Sequence, residues 1–276
     1  MESVAGQGVR DTLPEGLADA IRGTAREVAA LLPEGTDMRA PVPGLVWNVG
    51  EVAAHLAQAN YLMAAVAAGH ELRHGDGTPQ SIAEANERAL AAFDERGAGP
   101  LAEMIVTQAD AYIEAIEAAE RRASEGTVTT PMGPMSPEVV GSYLLTHMLG
   151  HGYDLARALD RPHMIDRARV ELTLPFLITA MPRMKDDAAA AGLTARYTIR
   201  LWGGSRFGVT FADGAVTVGP RPPSRPDCTI HTEPVTFFLM TLGRRRTPAA
   251  IASGRVLSWG RKAWLAPRFP ALFKAP

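Results

Sequence analysis

The sequence lacks several features that define whole classes of proteins. It has one cysteine, Cys228, among 276 residues, so no intrachain disulfide can form and a cysteine-rich metal site is excluded. Its 28 Lys and Arg residues against 30 Asp and Glu give a net charge of −2, which supplies no bulk attraction to nucleic acid or anionic membranes. No apolar run reaches the ~20 residues needed to span a bilayer, and residues 1–6 do not resemble a signal peptide. We therefore expect a cytoplasmic protein without nucleic-acid or membrane partners.

The spacing of apolar residues divides the chain into two parts. Residues 1–160 are rich in Ala and Leu, and apolar positions recur every three or four residues, as in helices. From about residue 193 the chain has short alternating runs, and Asp213-Gly214 between two of them predicts a tight hairpin. The sequence thus predicts an α+β protein. An antiparallel four-helix bundle is expected over residues 1–162, and a connecting helix with a small α+β domain over residues 163–276.

Capping residues place the individual elements. Asn48 with Glu51 predicts a capping box at the start of the second helix, and Ser136 followed by Pro137 predicts the start of a later one. The helices predicted for the first part are 15–32, 48–69, 81–96, 101–123 and 136–159. The elements predicted for the second part are a helix over 166–190 with kinks or breaks at its prolines, strands over 197–202, 207–211, 215–218 and 228–230, and helices over 234–242, 247–253 and 259–269.

Three histidines from two distant stretches are candidate metal ligands. His147 and His151 are four residues apart on a predicted helix, so their side chains lie on one face and could hold one ion. His55 interrupts an Ala-rich apolar stretch, where burial of an imidazole without a partner would cost free energy. Three neutral imidazoles leave the ion its +2 charge and an open position, which is typical of catalytic sites. The alternative is that His55 is hydrogen-bonded without a metal.

Three charged residues are candidates for supporting roles. Asp154 follows His151 by three residues and could accept a hydrogen bond from an imidazole, which would fix the tautomer of that ring. Arg244, which follows a predicted apolar helix, and Arg88 on the third predicted helix could bind an anionic ligand. The alternative for all three is an ordinary solvated side chain.

The pattern Trp47-x7-His55, combined with His147-x3-His151 and Asp154, resembles the mycothiol-dependent maleylpyruvate isomerase family. That family belongs to the DinB-like metal-binding helical bundles, and its members often carry a C-terminal domain related to sterol-carrier folds. His147 departs from the family pattern, because the isomerases usually have a glutamate there. Other DinB-like bundles have three histidines, so this departure affects the specific activity more than metal binding.

The resemblance implies a divalent metal, which would be Zn²⁺ or else Ni²⁺ or Fe²⁺, and mycothiol as a thiol cosubstrate. The metal-bound thiolate would add to an electrophilic small molecule, and a cis-trans isomerase and an S-transferase share this first step. Arg244 matches an arginine position in the family's C-terminal domain. One alternative is a lipid- or small-molecule-binding protein with a cavity lined by aromatic residues, and another is a metal-hydroxide hydrolase. The sequence carries no signal for the oligomeric state. The aromatic candidates for the cavity are Phe207, Phe211, Phe237, Phe238 and Trp259.

Overall fold

The fold begins with helices that contact one another in a bundle. The protein is described as a computed structural model that covers residues 13–121 and 127–274. Helices α1, α2, α4 and α5 pack together, α3 lies against α2, and a short hairpin, β1–β2, precedes α5. The bounds are α1 Leu17–Ala30, α2 Val49–Ala67, α3 Ile82–Ala91, α4 Ala98–Arg121, β1 Val128–Thr130, β2 Gly133–Met135 and α5 Pro137–Ala158.

The second part of the chain forms a five-stranded sheet with short helices. Its strand order is β5-β4-β3-β6-β7, in which only the β3–β6 pair is parallel. Helix α6 packs against α5 and also contacts α8, so it lies between the bundle and the sheet part. The bounds are α6 Arg167–Ala180, α7 Asp187–Ala190, β3 Ala195–Leu201, β4 Arg206–Ala212, β5 Ala215–Gly219, β6 Cys228–Thr232, α8 Pro234–Thr241, α9 Thr247–Ala252 and β7 Val256–Trp259.

Two local sequence signals form the structures predicted for them, a helix cap and a hairpin turn. The Asn48 side chain accepts a hydrogen bond from the Glu51 backbone, and the Glu51 carboxylate accepts one from the Asn48 backbone, which completes the capping box of α2. Asp213 and Gly214 both have positive φ angles, of 49° and 81°, and they join β4 to β5 in a tight hairpin. The prediction of a helical part followed by a mixed α+β part is confirmed, whereas the division at residue 162 stays a prediction.

Three predicted elements were wrong in extent or type. Helix α3 ends at Ala91 rather than at residue 96, because the chain turns there and the Arg96 guanidinium donates hydrogen bonds to the carbonyls of Leu90, Phe93 and Glu95. The helix predicted over 166–190 breaks near Pro182 as expected, but α6 already ends at Ala180, and a 3-10 turn over Met181–Met184 and the separate helix α7 replace the remainder.

The third error lies near the C-terminus, where the predicted helix over 259–269 is replaced by two other elements. The edge strand β7 runs through Trp259, and a 3-10 segment follows over Ala263–Leu272 with Pro267 and Pro270 inside it. Two prolines within four residues remove backbone donors, so a regular α-helix is unfavourable there. Among the described residues, no helix is both long and apolar enough to cross a membrane.

Glycine 152 lets α5 pack tightly beside the predicted site. A Cβ atom at Gly152 would lie 2.9 Å from both Val28 Cγ2 of α1 and Met164 Sδ. Replacing Gly152 with valine is therefore expected to destabilise the metal-free protein by about 1–3 kcal/mol through overpacking, as measured by urea unfolding. Gly99→Ala in α4 is the control, because a Cβ there meets no described atom within 4 Å. Equal stabilities of the Gly152→Val variant and the parent would contradict this account of the packing.

Candidate metal centre

Two helices bring the three predicted ligands together. His55 lies in the second turn of α2 and is buried, with 6% of its surface exposed. His147 and His151 occupy successive turns of α5, which packs against α2, and both are partly buried. The helical spacing of four residues places both α5 rings on the side that faces α2, as predicted from the sequence.

The three imidazole rings form a nearly equilateral triangle. The ring centroids of His55 and His147 are 4.8 Å apart, those of His55 and His151 are 5.0 Å apart, and those of His147 and His151 are 4.7 Å apart. One nitrogen from each ring can be chosen so that all three lie within 4.8 Å of one another. The rings therefore converge on one point rather than stack in a row.

The surroundings keep two of these imidazoles neutral. Burial, reinforced by the neighbouring charges of His151 and His74, holds the pKa of His55 well below 6.5. Burial, followed by the charges of His151 and His55, likewise holds the pKa of His147 well below 6.5. A neutral imidazole has a free lone pair for a metal. His55 and His147 can therefore both bind a metal ion at neutral pH without first losing a proton.

The donor set fits a divalent ion such as Zn²⁺. Two nitrogens bound tetrahedrally at about 2.0–2.1 Å from zinc lie about 3.3 Å apart, and the Nε2 atoms of His55 and His147 are 2.9 Å apart. The Nδ1 atoms of His147 and His151 are buried, and neither has a hydrogen-bond partner among the described residues. A His55–His147 hydrogen bond alone would satisfy one pair of nitrogens and leave the third ring unexplained. A shared ion accounts for the convergence of all three rings.

Asp154 and Arg244 lie beside this triangle and contact each other. The Asp154 Oδ2 atom is 2.8 Å from Arg244 Nη2 and 3.2 Å from His151 Nδ1. The contact with His151 is within ion-pair distance, but its angles do not fit a hydrogen bond. Burial works to raise the pKa of Asp154, but the contacts with His151 and Arg244 outweigh it, so this pKa lies below 3.8. Asp154 is therefore an anion next to the candidate metal centre.

Comparison with known families matches both parts of the chain. The model of the mycothiol maleylpyruvate isomerase N-terminal domain matches residues 17–156, just over half of the chain, and includes all three histidines. The chain belongs to the mycothiol maleylpyruvate isomerase family. A model of the SCP-2 sterol transfer family matches residues 177–258 in the sheet part. The family resemblance predicted from the histidine pattern is confirmed.

One solved structure of a mycothiol-dependent maleylpyruvate isomerase shares the fold of this chain. A crystal structure of a histidine-to-alanine mutant of the mycothiol-dependent maleylpyruvate isomerase is 15% identical to this chain, with a TM-score of 0.50. A crystal structure of that isomerase is 14% identical, with a TM-score of 0.47. Each match covers 89% of this chain and 93% of the other chain. None of the curated proteins compared matches this chain. The similarity to the mutant supports the fold, which is helical and then mixed α+β.

The structure gives no support to Arg88 as a residue that binds an anionic ligand, such as a cosubstrate, at the metal centre. Arg88 is on α3, its side chain is 60% exposed, and it forms an ion pair with Glu84 one turn away. None of its described contacts is with the three histidines. This pair is an ordinary solvated interaction between residues four apart on a helix, so the proposed role of Arg88 stays a prediction without a structural argument.

Two further side chains near the centre were not assigned a role from the residue pattern. The Trp47 ring lies 5.0 Å from the His55 ring and 6.4 Å from the His151 ring, so its indole forms part of the wall of the site. His74, in the loop between α2 and α3, has its Nε2 atom 2.7 Å from Asn86 Oδ1, and its charge contributes to the low pKa values of His55 and His147.

Proposed function

We propose that this protein is a metal-dependent enzyme that activates a low-molecular-weight thiol, mycothiol, for addition to an electrophilic small molecule. The observation that carries the proposal is the convergence of the His55, His147 and His151 rings within a chain of the maleylpyruvate isomerase family. Similarity to this family supports a thiol-dependent isomerase activity. The choice of Zn²⁺ and the identity of the substrate belong to the proposal.

The three imidazoles would hold the ion, and the rest of the site would shape its surroundings. When bound, a divalent metal supplies a Lewis acid that lowers the pKa of a thiol ligand, so that the thiolate is present at neutral pH. Because an imidazole is neutral when it binds a metal, three such ligands would leave the positive charge of the ion undiminished. His147 and His151 are partly exposed, so a ligand can reach the side of the triangle that they form. The Trp47 indole covers His55 and His151 and limits access of water there.

The thiol has to come from outside the chain. Cys228 is the only cysteine, and it lies buried in β6 of the sheet part. Burial raises the pKa of its thiol to about 11, so it is protonated at neutral pH. An external thiol is consistent with the family, and none of the described residues places a thiol within the triangle of histidines.

Isomerisation and S-transfer differ in whether the thiolate that has been added leaves again. Addition of a thiolate to one carbon of an electron-poor cis double bond leaves a single bond that can rotate, and elimination of the same thiolate then restores the double bond as trans. If the adduct is protonated and released instead, the reaction is an S-transfer. We favour the isomerisation, because the matched family model is named after a maleylpyruvate isomerase.

A second candidate function, binding of an apolar small molecule, is favoured by one cavity. The cavity has a volume of about 320 Å³ and lies between α6 and the sheet, with Phe176, Met181, Ile199 and Phe237 among its lining residues. Of the aromatic residues expected to line such a cavity, only Phe237 does so. Phe207, Phe211 and Phe238 are buried in the core, and Trp259 is 43% exposed. Extraction of the purified protein with organic solvent and mass spectrometry of the extract would detect a bound apolar molecule.

Cobalt substitution tests the proposed thiol site directly. Replacing the bound metal with Co²⁺ and adding mycothiol is expected to produce a thiolate-to-cobalt charge-transfer band that saturates at one thiol per chain. The His147→Ala variant should show no band, whereas His70→Ala, a change of an exposed histidine outside the triangle, should show the parent's band. A parent protein that binds one Co²⁺ ion but shows no band at saturating mycothiol would refute thiol activation. Turnover without any added thiol would favour hydrolysis instead.

A further inference from the structure

Arg244 extends from the sheet part of the chain to the metal centre on the bundle. It lies just beyond the C-terminus of α8, 90 residues from Asp154 on α5. Its Nη2 atom donates to Asp154 Oδ2 at 2.8 Å, and its Nε atom donates to Asp154 Oδ1 at 3.3 Å. This two-point contact fixes both the distance and the plane of the carboxylate.

A third N–H group of the Arg244 guanidinium, on Nη1, also forms a hydrogen bond. Its Nη1 atom donates to the Leu242 carbonyl at 2.6 Å, which holds the guanidinium against its own turn. The Arg244 side chain is 16% exposed, and that of Asp154 is only 2% exposed. These contacts engage three of the five N–H groups of the guanidinium, so Asp154 and the Leu242 carbonyl fix its position without any substrate. The binding of an anionic ligand by Arg244 stays a prediction.

Asp154 also contacts His151, one of the three candidate metal ligands. The same oxygen, Oδ2, lies 2.8 Å from Arg244 and 3.2 Å from His151 Nδ1. A carboxylate in this position influences the orientation and tautomer of a ligating imidazole, and its effect depends on how firmly it is held. Without Arg244, Asp154 would be a buried carboxylate with its strongest partner removed.

Close packing supports the contact between the two parts of the chain. A Cβ atom at Gly150, the residue before His151, would lie 3.0 Å from Leu242 Cδ1. The turn that carries Arg244 therefore rests directly on the segment of α5 that carries His151. A displacement of this turn relative to α5 would therefore change the contact between Arg244 and Asp154.

We propose that Arg244 is a positioning residue that holds Asp154 against His151, so that the C-terminal part of the chain completes the metal centre of the bundle. This inference rests on the proposed metal site and assigns Arg244 a role different from the binding of an anionic substrate. The C-terminal part then affects the metal even when no substrate is present.

Metal affinity in the absence of thiol and substrate tests this role. The dissociation constant for Zn²⁺, measured by competition with a chromogenic chelator, is expected to rise about 10–100-fold in Arg244→Ala, the range for loss of a residue that supports a metal ligand. Arg245→Ala is the matched control, because the neighbouring Arg245 contacts Ser253 and not Asp154, and its affinity should equal the parent's. An unchanged affinity in Arg244→Ala would overturn the proposal.

Two further variants separate positioning from folding and from substrate binding. Arg244→Lys keeps the positive charge but loses the two-point contact, so it should fold and still bind Zn²⁺ more weakly than the parent. The Asp154→Asn variant and the double variant Asp154→Asn with Arg244→Ala should have equal affinities, because both residues act through one contact. Independent effects that add in the double variant would overturn the proposal, as would a change in KM for an anionic substrate without any change in Zn²⁺ affinity.

The same titration distinguishes failure of this inference from failure of the proposed function. A parent protein that binds no Zn²⁺ would refute the metal-dependent function itself. A parent that binds Zn²⁺ with an affinity equal to that of Arg244→Ala and Arg244→Lys would refute only the positioning role. Circular dichroism of each metal-free variant establishes that the compared proteins are folded.

Discussion

Replacing His147 with alanine is expected to reduce the metal content from about one ion per chain to less than one tenth of an ion. His147 supplies one of three nitrogens, and its Nε2 atom lies 2.9 Å from that of His55. Loss of a ligand should weaken metal binding by more than the roughly 100-fold effect of losing a supporting residue. Thiol-dependent activity should fall with the metal. Inductively coupled plasma mass spectrometry and a thiol-dependent turnover assay check the two effects.

His147→Glu provides the matched comparison for this prediction. A carboxylate at this position can still ligate a divalent ion, and glutamate is the residue that the resemblance assigns to the isomerases. We therefore expect His147→Glu to retain close to one metal ion per chain, and a comparison of its turnover with the parent's would measure the effect of a third neutral ligand. Retention of a full complement of metal by His147→Ala would contradict the assignment of this ligand.

The stability of the metal-free protein is expected to decrease steeply as the pH falls below about 6.5. Burial holds the pKa values of His55 and His147 well below 6.5 in the folded protein, whereas both titrate near 6.5 in the unfolded chain. Below pH 6.5 the unfolded chain therefore binds more protons than the folded protein, and the free energy of unfolding falls as the pH falls. Each histidine contributes a limiting slope of about 1.4 kcal/mol per pH unit, or about 2.7 kcal/mol for both.

Urea unfolding of chelator-treated protein between pH 8 and 5 measures this slope. Among the other titratable groups at the site, Asp154 has a pKa below 3.8, so it remains ionised throughout this range. The His147→Gln variant should have about half the slope of the parent, because only His55 then remains as a buried neutral imidazole with a depressed pKa. A parent whose stability does not change between pH 6.5 and 5, or a variant with the parent's full slope, would contradict this account.

Local signals in the sequence are sufficient to predict several features of both parts of the chain. The capping box of Asn48 and Glu51 involves residues three apart, and the Asp213-Gly214 turn involves neighbours, so both are determined by short-range geometry. The His147–His151 pair also follows from helical spacing alone. Its convergence with His55 required one more inference, that a histidine in an apolar helix face needs a polar partner.

Elements that depend on distant parts of the chain were not predicted correctly. The edge strand β7 forms because it pairs with β6, and its sequence, Val256 to Trp259, alternates over too few residues to indicate a strand. The segment after β7 was predicted as helix, although Pro267 and Pro270 lie inside it and it forms a 3-10 segment over Ala263–Leu272. In both cases tertiary contacts and proline geometry prevail over local preference.

The contact between Arg244 and Asp154 could not be predicted from the sequence. The two residues are 90 positions apart, and no periodicity connects a turn after α8 with the inner face of α5. Each was selected as a candidate for a different reason, Asp154 for its spacing from His151 and Arg244 for its charge after an apolar helix. Only the packing of α8 near α5 shows that one neutralises the other.

X-ray absorption spectroscopy of the zinc-loaded protein, with and without mycothiol, tests the proposed metal centre most directly. Before thiol is added, we predict three imidazole nitrogens at about 2.0–2.1 Å from the zinc ion. Saturating mycothiol should add one sulfur neighbour at about 2.3 Å while all three imidazoles remain. A spectrum that requires fewer than three imidazoles, or that shows no sulfur neighbour at saturating thiol, would contradict a three-histidine centre that activates a thiol.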